Sequence, residues 1–250
     1  MATYNGERYI KEQMDSILKQ LGAEDEIIVS DDGSTDETIE IIKNYHDNRI
    51  KLYHHESEKH NYSGTLKTCF LVGKNVHNAL KNASGDYIFL ADQDDVWLEN
   101  KVAVFKQHLK NHDLVISDCI ITDKNLNEIY HSHFDKFGYP TDSILQTIYK
   151  TKFLGCCLAF NRTILNKALI FPSEPIMHDI WIGLLACKYG KIKVEEQPFL
   201  LYRRHYNNAS ISIGKNKTSL IFKLKYRYLL VKALLKYMYK ISFLNIKNNS

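Results

Sequence analysis

Strand-like and helix-like segments alternate from residue 1 to residue 118, and this alternation predicts an α/β fold with a parallel sheet and crossover helices. Two further observations agree with it. With 250 residues, 44% of them hydrophobic and 25% charged, the chain can bury a full core as one large α/β domain or as a domain with a tail. Polar loops also follow the apolar runs at the carboxyl ends of the strands, where open α/β sheets gather their ligands.

The elements follow in order. After an opening loop, Ile10, Met14, Ile17, Leu18 and Leu21 recur at helical spacing, and Gly22 ends that helix. Glu26 to Ser30 is a short buried strand, and the turn Asp31 to Asp36 opens a helix with Ile39, Ile42 and Tyr45 on its apolar face. Ile50 to His54 reads as a strand, Gly64 to Leu80 as a helix, and Tyr87-Ile88-Phe89-Leu90 as a buried strand. Lys101 to Leu109 is helical, and Leu114 to Ser117 is one more strand. The stretch from 119 to 210 is less periodic. There Phe153 to Phe160 reads as a buried strand, an apolar helix starts at His178-Asp179, and Gln197 to Leu201 is a strand.

Asp92, Asp94 and Asp95 place three carboxylates in four positions at the end of the Tyr87 to Leu90 run. Like charges this close repel, and a divalent cation held by oxygen ligands, its shell completed by phosphate oxygens, relieves the repulsion. A nucleotide-sugar site is the functional reading. The structural alternative is a solvated acidic turn in which Asp92 or Asp94 caps a helix begun by Trp97. Convergence separates the two, because Thr3 to Glu7, Asp31 to Asp36 and Asp92 to Asp95 all lie at strand carboxyl ends. Gly6 and Gly33 supply permissive backbone, each just before a helix amino terminus that favours an anion such as a diphosphate. Asp36 or Ser34 acting as a simple cap is the plainer account of the second loop. Asp179 stands beside apolar Ile180 and Trp181, either as a helix-dipole charge or as a general base, and the residues alone leave both open. His205, flanked by Arg203 and Arg204, reads as an ordinary loop histidine or as part of a site for an anionic ligand.

Taken together and in this order, the segments Ala2-Thr3-Tyr4-Asn5-Gly6, Ser30 to Asp36, Asp92-Gln93-Asp94-Asp95, His178-Asp179 and Tyr202 to Asn208 resemble the family 2 inverting glycosyltransferases of the GT-A fold. The match runs from about Met1 to Ser210. The resemblance implies a GT-A type nucleotide-binding sheet, with Thr3, Tyr4 and Glu7 contacting the nucleotide and Asp31 or Asp32 reading the base. It implies that Asp92 approaches the sugar or ribose, and that Asp94 and His205 hold Mg2+ or Mn2+ against the diphosphate. Asp179 would take the proton from the acceptor hydroxyl in a single inverting displacement. Asp92-Gln93-Asp94-Asp95-Val96-Trp97 is similar to the bacterial rhamnosyltransferase branch, which implies dTDP-L-rhamnose as donor, then a UDP-hexose, and a saccharide or lipid-linked saccharide acceptor in surface polysaccharide synthesis. Family members begin with a longer apolar strand, of which only Met1 and Ala2 stand here. The expectation is a start upstream of Met1, the alternative a truncated, inactive nucleotide-sugar-binding protein.

Between Ile211 and Ser250 there are nine Lys or Arg and no Asp or Glu, so the formal net charge of +4 turns negative over residues 1–210. We therefore divide the chain into a catalytic domain, 1–210, and a basic amphipathic helical C-terminal tail, 211–250. Lys232, Lys236 and Lys240 share one helical face, while Leu230, Leu234, Tyr237, Met238 and Ile241 lie on the other. No uncharged run reaches the roughly 18 residues that span a bilayer. Leu220 to Leu244 is thus expected to lie on an anionic membrane as a peripheral helix, with a helix docked on the domain as the alternative. Nucleic acid is not expected as a partner, because no reading motif accompanies the charge. A nucleotidyltransferase is disfavoured too, since Tyr4-Asn5-Gly6-Glu7 lacks the basic, Gly-rich loop that holds a triphosphate. The five cysteines show no metal-ligand spacing and no closed disulfide framework, and no apolar leader opens the sequence. The expected location is cytoplasmic, at the inner face of the cell membrane.

Overall fold

The computed structural model describes residues 1–205 and 219–248. Tyr206, Asn207 and Asn208 of the late loop, and the expected domain boundary at 210, lie outside the described residues.

The strands form two hydrogen-bonded sets. In the first, β1 (Ala2–Thr3), β2 (Ile27–Asp31) and β3 (Ile50–His54) run parallel in that order. In the second the order is β4 (Tyr87–Phe89), β8 (Leu158–Asn161), β6 (Leu114–Thr122), β9 (Ile192–Arg203) and β5 (Val96–Trp97), with β7 (Glu128–Tyr130) on the edge of β6. Here β4 and β6 run antiparallel to β8, while β6 and β9 run parallel. The expected α/β fold with a parallel sheet is present in β1 to β3, and a second, mixed sheet that includes β4 and β6 stands beside it.

Only Ala2 and Thr3 pair with β2, and the Met1 amino group donates to the Ile28 carbonyl at 2.8 Å. Beyond that point β2 and β4 bound a cavity of about 440 Å³ whose wall includes Ile28, Val76, Leu80, Ile88 and Leu90.

Around the sheets lie α1 (Ile10–Leu18), α2 (Thr38–Lys43), α3 (Gly64–Asn82), α4 (Lys101–Leu109), α5 (His133–Phe137), α6 (Ile144–Tyr149), α7 (Arg162–Ala168), α8 (His178–Tyr189) and α9 (Leu220–Asn248). Two expectations shift. Trp97 begins no helix: it pairs with Leu200 in β5, and α4 starts at Lys101 after Asn100 turns the chain with φ of 64°. Phe153 to Phe160 is a strand only from Leu158, since Gly155–Cys157 forms a 3₁₀ turn. Cys69, Cys119, Cys156 and Cys157 are buried free thiols.

The tail helix docks. Leu230, Ala233, Leu234 and Tyr237 are buried in the main core, with Tyr237 edge-on to Trp181 of α8 at 5.4 Å. Lys236 and Lys232 reach Glu174 at 2.5 and 3.9 Å, so the lysine face borders the domain. Leu230, Leu234 and Tyr237, three of the five apolar residues expected to meet lipid, therefore pack inward instead. A second apolar face points out: Ile221, Leu224, Tyr228, Val231, Leu235 and Met238, spaced alternately three and four residues apart, are all exposed. Among the described residues no helix is long and apolar enough to cross a membrane.

Candidate active site

The opening loop and the Asp31 turn are stitched to each other by short polar bonds. Asp31 is buried and turned inward, accepting from Thr3 Oγ1 at 2.8 Å, Ser34 Oγ at 2.6 Å and the Gly33 and Ser34 amides at 3.0 and 2.8 Å. Its oxygens are consumed in building the turn, with Gly33 at φ of 79° completing it. Asp32 faces the other way and meets His55 Nδ1 at 2.8 Å near the surface. Of the two carboxylates expected to read a base, Asp32 is the one the fold leaves at the rim. The Asn5 amide donates to Ser34 Oγ at 2.9 Å while its side-chain oxygen accepts from the Thr35 amide at 2.9 Å, and the Glu7 carboxylate accepts from the Glu37 amide at 3.0 Å. Tyr4 is 57% exposed beside them.

The acidic loop after β4 is tied to the opening loop by Gln93. Its side-chain amide accepts from the Tyr4 amide at 2.9 Å and donates to the Tyr4 carbonyl at 3.0 Å. Gly6 is required at this crossing, because a Cβ there would stand 2.4 Å from Gln93 Oε1.

Asp94 and His205, separated by 111 residues, meet at 2.7 Å between Oδ2 and Nε2. The His205 ring leans on Tyr9, with centroids 4.9 Å apart. Asp92 lies within reach of the charges of Asp94 and Asp179. Burial first, then these two carboxylates, pushes the Asp92 carboxyl up to about 7. Asp179 sits in the first turn of α8 and accepts the Ile180 amide at 2.7 Å, and burial pushes its carboxyl up to about 6. It is a helix-terminal carboxylate and a desolvated one at once. Close packing of α8 on the 3₁₀ turn depends on Gly155, where a Cβ would stand 2.7 Å from His178 Nε2.

Residues 1–169 match the model of the family described as Glycosyl transferase family 2. The chain belongs to this family. It is a glycosyltransferase, similar at 31% identity over 222 residues to the UDP-Glc:alpha-D-GlcNAc-diphosphoundecaprenol beta-1,3-glucosyltransferase WfgD of Escherichia coli, covering 87% of this chain and 79% of that one. It is 29% identical over 241 residues to the dTDP-rhamnosyl transferase RfbG of Shigella flexneri, covering 92% of this chain and 78% of the relative. In fold it resembles S. aureus TarS 1–349 in complex with UDP-GlcNAc, with a TM-score of 0.62, 21% identity and 85% of this chain covered. The chain spans 60% of that TarS chain.

Several residues around the candidate site have partners that the sequence does not report. Asp95 is fully buried, accepts the Arg203 amide at 3.0 Å, and has an Oδ2 without a hydrogen-bond partner among the described residues. Burial and its acidic neighbours push its carboxyl well up. Asp92, Asp95 and Cys156 bring ligand atoms within 4.8 Å of one another. Arg203 serves the scaffold: Nε donates to the Asp94 carbonyl at 2.7 Å, Nη1 to the Lys124 carbonyl at 2.8 Å, and Nη2 pairs with Glu12. Behind the loop, buried Lys101 donates to the Cys156 carbonyl at 2.8 Å and lies 4.6 Å from the Trp97 ring centroid.

The donor set suits a divalent cation. Neighbouring ligands of an octahedral ion with bonds of about 2.1 Å stand about 3 Å apart, close to the separation of the Asp94 and His205 atoms. Carboxylate with imidazole fits Mn2+ as well as Mg2+.

Proposed function

We propose that the chain transfers a sugar from a nucleotide-sugar donor to a saccharide acceptor with inversion at the anomeric carbon. The observation that carries this reading is the meeting of Asp94 and His205 at 2.7 Å, at the end of β4 and within electrostatic reach of Asp179 through Asp92. Two chain-distant residues of a metal pair converge where the nucleotide loops converge.

In this reading Asp32 and the loop around Tyr4 and Glu7 bind the nucleoside, and Thr3 holds Asp31 in the turn that supports them. Asp92 lies against the sugar or ribose. Asp94 and His205 would hold Mg2+ or Mn2+, which when bound offsets the charge developing on the leaving diphosphate. The upward shift of Asp179 brings its carboxyl near operating pH, so it takes the proton from the acceptor hydroxyl as that oxygen attacks opposite the diphosphate. One base suffices, and no covalent enzyme intermediate forms.

For the donor we favour dTDP-L-rhamnose, on the Asp92 to Trp97 spelling and the likeness to RfbG. The likeness to WfgD supports UDP-glucose as the second reading. The exposed α9 stripe, flanked by Lys223, Lys225, Lys232 and Lys240, supports peripheral binding to the inner face of an anionic cell membrane. The test of the chemistry is NMR of the product anomeric centre with each donor in turn. Inverted configuration is expected, and retention overturns the single displacement.

A further inference from the structure

The cavity that has Asp179 in its wall and the start of α9 on its border has a wall chemistry that a neutral sugar does not explain. It measures about 540 Å³ and is bounded by the segment after α6, the amino-terminal end of α8 and the first turns of α9. Four cations line it, Lys150, Lys152, Lys223 and Arg227, and Asp179 is the one carboxylate among its described lining residues. Lys232 and Lys236 of the same helix pair with Glu174, yet none of these four meets a carboxylate at ion-pairing distance among the described residues. Burial and the charge of Lys150 together lower the Lys152 amine. Like charges gathered in a partly desolvated pocket repel, and an anion between them relieves the cost.

The arrangement is held in place. The Arg227 guanidinium donates through Nε and Nη2 to the Tyr149 carbonyl at 3.1 and 2.6 Å, which fixes the segment bearing Lys150 and Lys152 against α9. Tyr226 Oη accepts the Met177 amide at 3.0 Å, locking α9 to the start of α8 one residue before His178. Between the cations the wall is apolar, formed by Phe153, Phe222, Tyr226 and Leu230. Phe222 and Lys223 share a helical turn with Leu220, Ile221 and Leu224, which are 69%, 79% and 57% exposed. Charge and apolar surface thus run continuously from the Asp179 carboxylate to the outer face of α9.

We propose that this cavity is an acceptor subsite for a diphosphate joined to an apolar chain, with Lys150, Lys152, Lys223 and Arg227 holding the diphosphate and the Phe153, Phe222 and Tyr226 wall receiving the first apolar units. Its place in the reaction rests on the glycosyltransferase reading: the acceptor sugar stands at Asp179 while its linker is read by the cations.

Binding tests it without turnover. Calorimetric titration of the full chain in EDTA uses farnesyl diphosphate, farnesol and inorganic pyrophosphate as probes. Farnesyl diphosphate binds, and the other two bind at least about tenfold more weakly. Lys150→Gln with Lys152→Gln weakens it by about tenfold, and Lys223→Gln, on a separate element, acts in the same direction. Asp94→Asn leaves its affinity unchanged. Absence of farnesyl diphosphate binding overturns the proposal. So does a loss caused by Asp94→Asn with the lysine variants unaffected, which puts the probe in the donor loops, and so does equal binding of pyrophosphate, which removes the apolar half. Donor turnover by the wild-type protein without acceptor is read separately. A protein that binds farnesyl diphosphate through the lysines but turns over no donor keeps the subsite and loses the glycosyltransferase reading.

Discussion

Asp179 is a carboxylate asked to do two things, since the Ile180 amide it accepts favours its charge while burial disfavours it, and burial prevails. As the proposed base it must be ionised, so kcat should rise with pH through about 6 and level off above it. Asp179→Asn should lower kcat by between about a hundredfold and ten-thousandfold. The linkage has the opposite sign for stability. A carboxyl raised in the folded state binds protons there that the unfolded chain has released, so its contribution to stability falls as pH climbs from the ordinary 3.8 to about 6. Thermal unfolding of Asp179→Asn should therefore show a Tm above wild type at pH 7.5 and a vanishing difference below pH 4, roughly the unperturbed carboxylate value. A variant that loses neither activity nor pH dependence returns Asp179 to the role of a helix-terminal charge. At the proposed metal pair, His205→Ala should raise the Mn2+ concentration for half-maximal turnover by about tenfold or more. An unchanged metal requirement removes His205 from the site.

At the scale of elements, α9 is tied to the catalytic half through Tyr237 on Trp181 and Lys236 on Glu174. Removing a buried aromatic side chain leaves a cavity costing about 3 kcal/mol or more, worth several degrees of Tm in a chain of this size. Tyr237→Ala should lower Tm by that amount in calorimetry, whereas a tail independent of the domain would leave Tm unmoved. Much of this architecture is legible in sequence, because β3 and α4 have the bounds that periodicity gives, and α3 runs only two residues past them. The three loops are also legible, as carboxylates and glycines at strand ends leave a local signature. What sequence conceals is pairing at long range. Trp97 lies in a strand because Leu200 is its partner, and nothing within ten residues of Trp97 reports that. Gln93 looks like a spacer between aspartates until the Tyr4 backbone is placed beside it. Arg203 looks like an anion binder until its donors are found on Asp94, Lys124 and Glu12. The α9 helix is apolar on two faces, so its pattern alone does not tell which face the domain takes.

For the molecule as a whole, the proposed function assigns the basic end and the acidic loops to different partners. The exposed Ile221 to Met238 stripe with its flanking lysines should bring the protein down with vesicles rich in phosphatidylglycerol, where each Lys or Arg near the lipid adds about 1 kcal/mol. Leu224→Glu with Leu235→Glu should leave the protein in the supernatant, since both side chains point away from the domain core. Pelleting unaffected by these changes would contradict the membrane face. The central claim concerns the donor, and it is tested most directly by release of nucleoside diphosphate from dTDP-L-rhamnose and a panel of UDP- and GDP-sugars, with Mg2+ or Mn2+, by the wild-type chain and Asp94→Asn. The account predicts metal-dependent release from one donor, abolished in Asp94→Asn. Release that ignores the metal and the substitution alike would contradict it.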